Sequence, residues 1–171
     1  LSEIPHTCAE NELLIHAVSA KKIIDKYRDA AQPVVQFWQL CQELIQRSLF
    51  EGRPYHHKCL QFEKEKIILP NGMALKYPLL KGNADEKNRL QWAYGPDGKK
   101  LYGGKLTENI VQAVARCVMT DGMLRIQTTY PCVLTVHDEV VCLVPEAEAE
   151  DAKTWVLAQM VMEPKYMPGM R

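Results

Sequence analysis

The chain has 171 residues, 47% of them hydrophobic, and its 21 Lys and Arg residues balance its 21 Asp and Glu residues. This length suits one compact unit with a real core, and the zero net charge excludes a global attraction to nucleic acid or an anionic membrane. No apolar stretch approaches the roughly 20 residues of a membrane span, and the six cysteines form no C-x-x-C pair, which predicts a soluble cytoplasmic protein with free thiols.

The N-terminal part of the chain is predicted to be helical. Good helix formers run from Ala9 to Ala31, and Pro33 suits the first turn of a second helix that ends at about Phe50. The second helix carries an apolar stripe that predicts core packing: Val34, Phe37, Trp38, Cys41, Leu44 and Ile45.

A β-ribbon is predicted between Cys59 and Tyr77. Two β-prone runs there surround Pro-Asn-Gly, and a hairpin turn is favoured because Asn71 and Gly72 accept positive φ. The next segment, from Gly82 to Lys105, is rich in Gly, Asp, Asn and Lys, and is predicted to be a loop with a short turn around Trp92.

One alternative site precedes the ribbon. His56, His57 and Cys59 are residue types that bind zinc, but they are bunched together, and no second pair has suitable spacing. A zinc site is therefore the less favoured interpretation of this segment.

The strongest helix signal runs from Lys105 to about Gln127. One side of this helix is predicted to face a core and carries Leu106, Ile110, Ala113, Val114, Cys117 and Leu124. The other side, which we call the polar stripe, carries Lys105, Glu108, Asn109, Gln112 and Arg116. Amide side chains both donate and accept hydrogen bonds, which suits nucleic-acid contacts, although a solvated face is the simpler interpretation. The preceding Gly103 and Gly104 permit either a sharp turn or a close approach.

Two apolar runs near the end of the chain are predicted to form a β-hairpin. They extend from Tyr130 to Val136 and from Val140 to Val144, separated only by His137, Asp138 and Glu139, and a helix is predicted from Glu146 to Met162. An acidic tip is ordinarily a solvated turn. Here the flanking runs are apolar on both faces and predict burial, so the carboxylates would need a cation, for which Mg²⁺ is the natural choice.

The order of these motifs closely resembles the C-terminal palm of family A DNA polymerases, the DNA polymerase I family, in its phage and prophage branch. The residues that carry the resemblance are Gly103, Gly104, Lys105, Leu106, Glu108, Asn109, Ile110, Val111, Gln112, Ala113, Arg116, Val136, His137, Asp138 and Glu139. The resemblance implies an α+β fold in which long helices pack on a small antiparallel sheet with a His-Asp-Glu hairpin. Residues 1–57 resemble the end of the fingers and residues 58–171 the palm, together forming one compact unit.

The resemblance also implies roles for individual residues. Asp138, assisted by Glu139, is expected to bind catalytic Mg²⁺, of which the complete enzyme uses two ions, and His137 to position the turn or the primer end. The residues expected to contact template-primer DNA are Lys105, Asn109, Gln112 and Arg116. The function implied is DNA-directed DNA synthesis from deoxynucleoside triphosphates in the cytoplasm of a bacterial host, with a phage or prophage origin.

Several family features are absent from this sequence. It has no upstream strand that ends in the first catalytic Asp, and no Arg-x-x-x-Lys helix for the incoming triphosphate. Cys117 stands where relatives usually have Asp, and Met73 where the ribbon usually has Arg. We therefore expect a fragment that does not polymerise by itself. The alternative is a non-catalytic nucleic-acid-binding or assembly module from a degenerate prophage polymerase.

Overall fold

A computed structural model of the protein describes residues 17–84 and 90–170. Helix α1 spans Ala17–Ala30 and helix α2 spans Gln32–Glu51, so both predicted N-terminal helices are confirmed over the described residues. The predicted part of the first helix before residue 17 lies outside them. Helix α2 has Pro33 in its first turn and is followed by Gly52, whose φ is 65° and whose N–H donates to the Ser48 carbonyl at 3.1 Å.

The predicted ribbon is part of a four-stranded antiparallel sheet. Its strands follow chain order: β1 (Tyr55–His57), β2 (Leu60–Glu63), β3 (Lys66–Ile68) and β4 (Ala74–Lys76). Strands β3 and β4 form the hairpin around Asn71 and Gly72, with Ile67 opposite Leu75, and Gly72 has the positive φ of 81° that the turn requires. The β-ribbon prediction is confirmed.

The loop prediction for the segment from Gly82 to Lys105 is wrong. A three-stranded antiparallel sheet occupies much of it: β5 (Lys81–Ala84), β6 (Leu90–Tyr94) and β7 (Lys99–Leu101). Glycines that suggested a loop instead form the tight turn between β6 and β7, where Gly95 and Gly98 have φ of 73° and 61°. Trp92 and Leu101, which are opposite each other on these strands, are buried in the core.

Helix α3 spans Gly103–Ile126 and packs against α2 along its first half. Its buried side changes along its length, because Leu106, Ile110 and Cys117 face the core, whereas Gly122 and Ile126 point to roughly the opposite side. Leu124, predicted to be in the core, is therefore 60% exposed. The predicted core face is otherwise confirmed for the first half of the helix.

After α3, strands β8 (Cys132–Val136) and β9 (Glu139–Cys142) form a two-stranded ribbon. A 3₁₀ turn at Glu146–Glu148 precedes helix α4 (Ala149–Met160), which shortens the predicted last helix at both ends. Helix α4 packs on the end of α3, where Gly122 leaves room for Met160.

The hydrophobic core lies between α2, α3 and the two sheets. Its most completely buried side chains include Phe62 and Ile67 from the first sheet, Ile45 from α2 and Leu106 from α3. Of the predicted α2 stripe, Cys41, Leu44 and Ile45 are buried, Phe37 and Trp38 are half-buried, and Val34 is exposed. The α+β fold class is confirmed. None of the helices within residues 17–84 and 90–170 has the length and hydropathy to cross a membrane.

Candidate active site

The His-Asp-Glu triplet lies at the tight turn between β8 and β9. Val136 is paired with Glu139, which leaves His137 and Asp138 as the two turn residues. His137 has a φ of 52°, in the left-handed region that only a small fraction of non-glycine residues adopt. Tight two-residue hairpin turns favour a positive φ, and Lys58, Glu65 and Leu79 share it, so the conformation follows from the turn itself.

The structure contradicts the predicted burial of this hairpin. All three residues of the triplet are exposed, and so are several apolar residues of the strands: Val133, Leu134, Val136, Val141 and Leu143. The ribbon has only two strands among the described residues, so one face has no cover there. Exposed carboxylates are hydrated, and burial therefore does not require a cation at Asp138 and Glu139.

Arg116 brings the polar stripe and the turn together. Its guanidinium lies 3.5 Å from both the His137 carbonyl oxygen and the Thr135 hydroxyl, and 3.0 Å from the sulfur of Met119. The long N–O distances indicate weak hydrogen bonds. The face of α3 that carries Arg116 is thus adjacent to the hairpin tip, as the predicted site requires.

Three other members of the polar stripe, Lys105, Glu108 and Asn109, have side-chain partners. Asn109 donates a hydrogen bond through its side-chain amide to the Tyr77 hydroxyl at 3.1 Å, and burial raises the pKa of that hydroxyl. Lys105 pairs with Glu108 at 3.1 Å, an exposed contact of one helical turn. Gln112 is exposed. Asn109 therefore has a structural role that the sequence did not suggest.

An apolar cavity of about 550 Å³ lies beside the turn, and Asp138 is one of its lining residues. Helix α3 supplies Ile110, Val114 and Met119, while the β1–β2 turn contributes Cys59 and the start of β2 contributes Leu60. Methionines from the C-terminal part of the chain complete the lining, namely Met160, Met167 and Met170. Sequence reasoning missed this cavity. The four methionines among the last twelve residues were the available signal, because flexible Met side chains often line irregular apolar surfaces.

The cluster of candidate zinc ligands does not form a metal site. Within residues 17–84 and 90–170, no three His, Cys, Asp or Glu side chains are arranged to hold a metal ion. His56, His57 and Cys59 all belong to this part of the chain, so the zinc interpretation is wrong. Asp138 and Glu139 supply two neighbouring carboxylates, to which further ligands would have to be added.

The two glycines before the polar stripe have different surroundings. A Cβ atom at Gly103 would lie 2.3 Å from the carbonyl oxygen of Trp38, whereas the nearest atom to one at Gly104 would be in the Tyr102 ring at 3.3 Å. The Gly103 N–H also donates to the side-chain oxygen of Gln42 at 2.8 Å. The close approach of α2 therefore explains why residue 103 is a glycine. The contacts of Gly103 with Trp38 and Gln42 hold the start of α3 against α2.

Comparison with known proteins shows similarity to a phage protein. The chain is 31% identical over 144 residues to a protein of Bacillus phage SP02 named DNA polymerase, in an alignment covering 75% of this chain. The alignment spans 22% of the length of that relative. No family model and no solved structure matches the chain. The similarity supports a relationship to a DNA polymerase.

Proposed function

We propose that this chain acts as part of a family A DNA polymerase, as the C-terminal palm and the end of the fingers, in template-directed DNA synthesis. The observation that carries the proposal is its similarity to a phage DNA polymerase, together with a polar helix face and an acidic turn that Arg116 brings side by side. Its site of action would be the cytoplasm of a bacterial host, where a phage polymerase works.

The proposed metal ligands are Asp138 and Glu139. Mg²⁺ prefers oxygen ligands and is usually held by one or two carboxylates with substrate phosphates, and two exposed neighbouring carboxylates fit that donor set. When bound, the ions neutralise charge that develops on the attacking and leaving oxygens during nucleotidyl transfer. The left-handed His137 fixes the direction in which the turn presents Asp138.

The proposed contacts with the template-primer are made by the polar stripe. Gln112 is exposed and offers both a donor and an acceptor, while Lys105 and Arg116 provide positive charge on the same helix face. Asn109 retains its carbonyl oxygen for a ligand, because its amide nitrogen is the atom that bonds to Tyr77. With zero net charge overall, DNA affinity would depend on these few groups.

The chain by itself is proposed to be inactive. Two carboxylates cannot fix two ions in reacting geometry without other ligands, and the triphosphate-binding helix is absent from this sequence. Activity therefore has to be tested in the context of a whole polymerase.

A chimera tests the proposal. In it, this chain replaces the corresponding region of the phage SP02 polymerase, and primer extension is compared with the parent and with a form lacking that region. We expect the chimera to extend primers and the deleted form not to. In parallel, the chain alone should bind a fluorescent primer-template, and Gln112→Ala should weaken binding. An inactive chimera together with no detectable binding by the chain would overturn the proposal and favour an assembly role.

A further inference from the structure

A pair of thiols lies at the base of the hairpin. Cys132, the first residue of β8, is opposite Cys142, the last residue of β9, and their sulfur atoms are 3.7 Å apart. Both are free thiols. We propose that Cys132 and Cys142 form an oxidisable dithiol site, at which a peroxide converts the two thiols to a disulfide that closes the hairpin. This inference does not rest on the proposed polymerase function.

The backbone around the pair suits a disulfide. The Leu143 N–H donates to the Pro131 carbonyl, and the Cys132 N–H donates to the Gln127 side-chain oxygen at 2.7 Å instead of to β9. The two cysteines therefore form a non-hydrogen-bonded cross-strand pair, in which Cα atoms are typically about 4.5 Å apart. Disulfides form at Cα separations of about 4.4 to 6.8 Å, so closure needs only small side-chain rotations.

Accessibility and pairing together distinguish these two cysteines from the other described ones. Cys41 and Cys117 are buried in the core, whereas Cys59, Cys132 and Cys142 are half-buried, and of these three it is Cys132 and Cys142 that face each other across the ribbon. The Cys132 sulfur also lies 3.8 Å from the Met123 carbonyl oxygen and 3.9 Å from the Tyr130 carbonyl oxygen. These two contacts hold the Cys132 thiol next to Cys142. A peroxide can thus reach this pair without unfolding of the core.

The chemistry balances with one peroxide. A thiolate attacks the O–O bond and becomes a sulfenic acid, and the displaced oxygen leaves as water. The second thiol then attacks the sulfenic sulfur, forming the S–S bond and releasing a second water. The two sulfurs together lose two electrons, which reduce the peroxide. Burial, with a further contribution from Cys142, raises the pKa of Cys132 to about 11, so the reaction should accelerate as pH rises above neutral.

Mass spectrometry tests the proposal on the native chain. Hydrogen peroxide is added, free thiols are alkylated, and the protein is digested with trypsin, which leaves both cysteines in the single peptide 126–153 because no Lys or Arg lies between its ends. We expect this peptide to lose two hydrogens and to escape alkylation, while Cys41 and Cys117 remain reduced. Cleavage after Glu139 should leave the two halves joined, and the yield should rise between pH 7 and pH 9.

Matched variants complete the test. Cys132→Ser and Cys142→Ser should each abolish the joined product, whereas Cys59→Ser should leave its yield unchanged. Circular dichroism of each variant checks that its fold is retained. The proposal is overturned if folded protein gives alkylated Cys132 and Cys142 after peroxide treatment, or if the disulfide that forms involves other cysteines.

Discussion

Replacing Gly103 by alanine should destabilise the fold, because this residue is where α3 begins against α2. The added Cβ would lie 2.3 Å from the carbonyl oxygen of Trp38 and 2.7 Å from its carbonyl carbon, distances that real Cβ contacts do not show. Both opposing atoms belong to the backbone of α2 and cannot rotate away. The start of α3 must therefore move away from α2.

The magnitude follows from two costs and one gain. Overpacking of this kind costs about 1–3 kcal/mol, and moving the helix weakens the 2.8 Å hydrogen bond from Gly103 to Gln42, worth about 1 kcal/mol. Alanine has a better helix propensity than glycine by at most about 1 kcal/mol. We expect Gly103→Ala to lower the free energy of unfolding by about 1–4 kcal/mol.

Gly104→Ala is the matched control, since it makes the same chemical change one residue along the helix. Its Cβ would lie 3.3 Å from the ring of Tyr102, an exposed side chain that can move. Urea denaturation should therefore give Gly104→Ala a midpoint equal to or slightly above the parent's, and Gly103→Ala a clearly lower one at similar m-value. Equal midpoints for the two variants would refute the close-approach explanation.

Three further predictions concern pH, stability and DNA binding. Hydrogen bonds from Tyr55 and two arginines hold the pKa of Glu51 at about 2, against an ordinary value of 4.5. Because the pKa of Glu51 is lower in the folded state, its ionised carboxylate stabilises the fold above pH 4.5, and that stability is lost as pH falls toward 2. The urea midpoint of Glu51→Gln should therefore vary less than the parent's across this pH range. Asp138→Ala should change the free energy of unfolding by less than about 0.5 kcal/mol in the same assay, because the side chain is exposed. Primer-template affinity, measured by fluorescence anisotropy, should fall steeply as the salt concentration rises, because Lys105 and Arg116 would contact phosphates. Tight binding that does not change with salt would contradict this prediction.

Helices and the first ribbon were predictable from sequence because their signals are local. Pro33 marks the start of α2, and the apolar spacing of α3 identifies the face that meets the core over its first half. The Asn71-Gly72 turn likewise specifies its hairpin. Each of these features is determined within one or two helical turns or one pair of strands.

The remaining features depend on contacts between distant residues. Short strands around Trp92 were hidden by glycines that serve a β-turn, and the change of buried side along α3 depends on where α4 packs. Whether the apolar β8–β9 ribbon is buried or exposed depends on which elements pack against it. Its apolar composition alone does not reveal this, and its strands are in fact partly exposed. The Arg116–His137 contact and the hydrogen bond from Asn109 to Tyr77 join residues 21 and 32 positions apart.

The central claim is that Asp138 is a metal ligand for nucleotidyl transfer. It is tested most directly by the single-turnover rate of primer extension by the phage chimera that carries Asp138→Ala. Asp138→Ala should lower the rate of primer extension with Mg²⁺ by about 10³-fold or more, a loss of about 4 kcal/mol of transition-state stabilisation, with primer-template affinity nearly unchanged. Glu146→Ala, which removes another exposed carboxylate near the same ribbon, should leave the rate unchanged. An Asp138→Ala chimera that extends primers at the parent's rate would contradict the account.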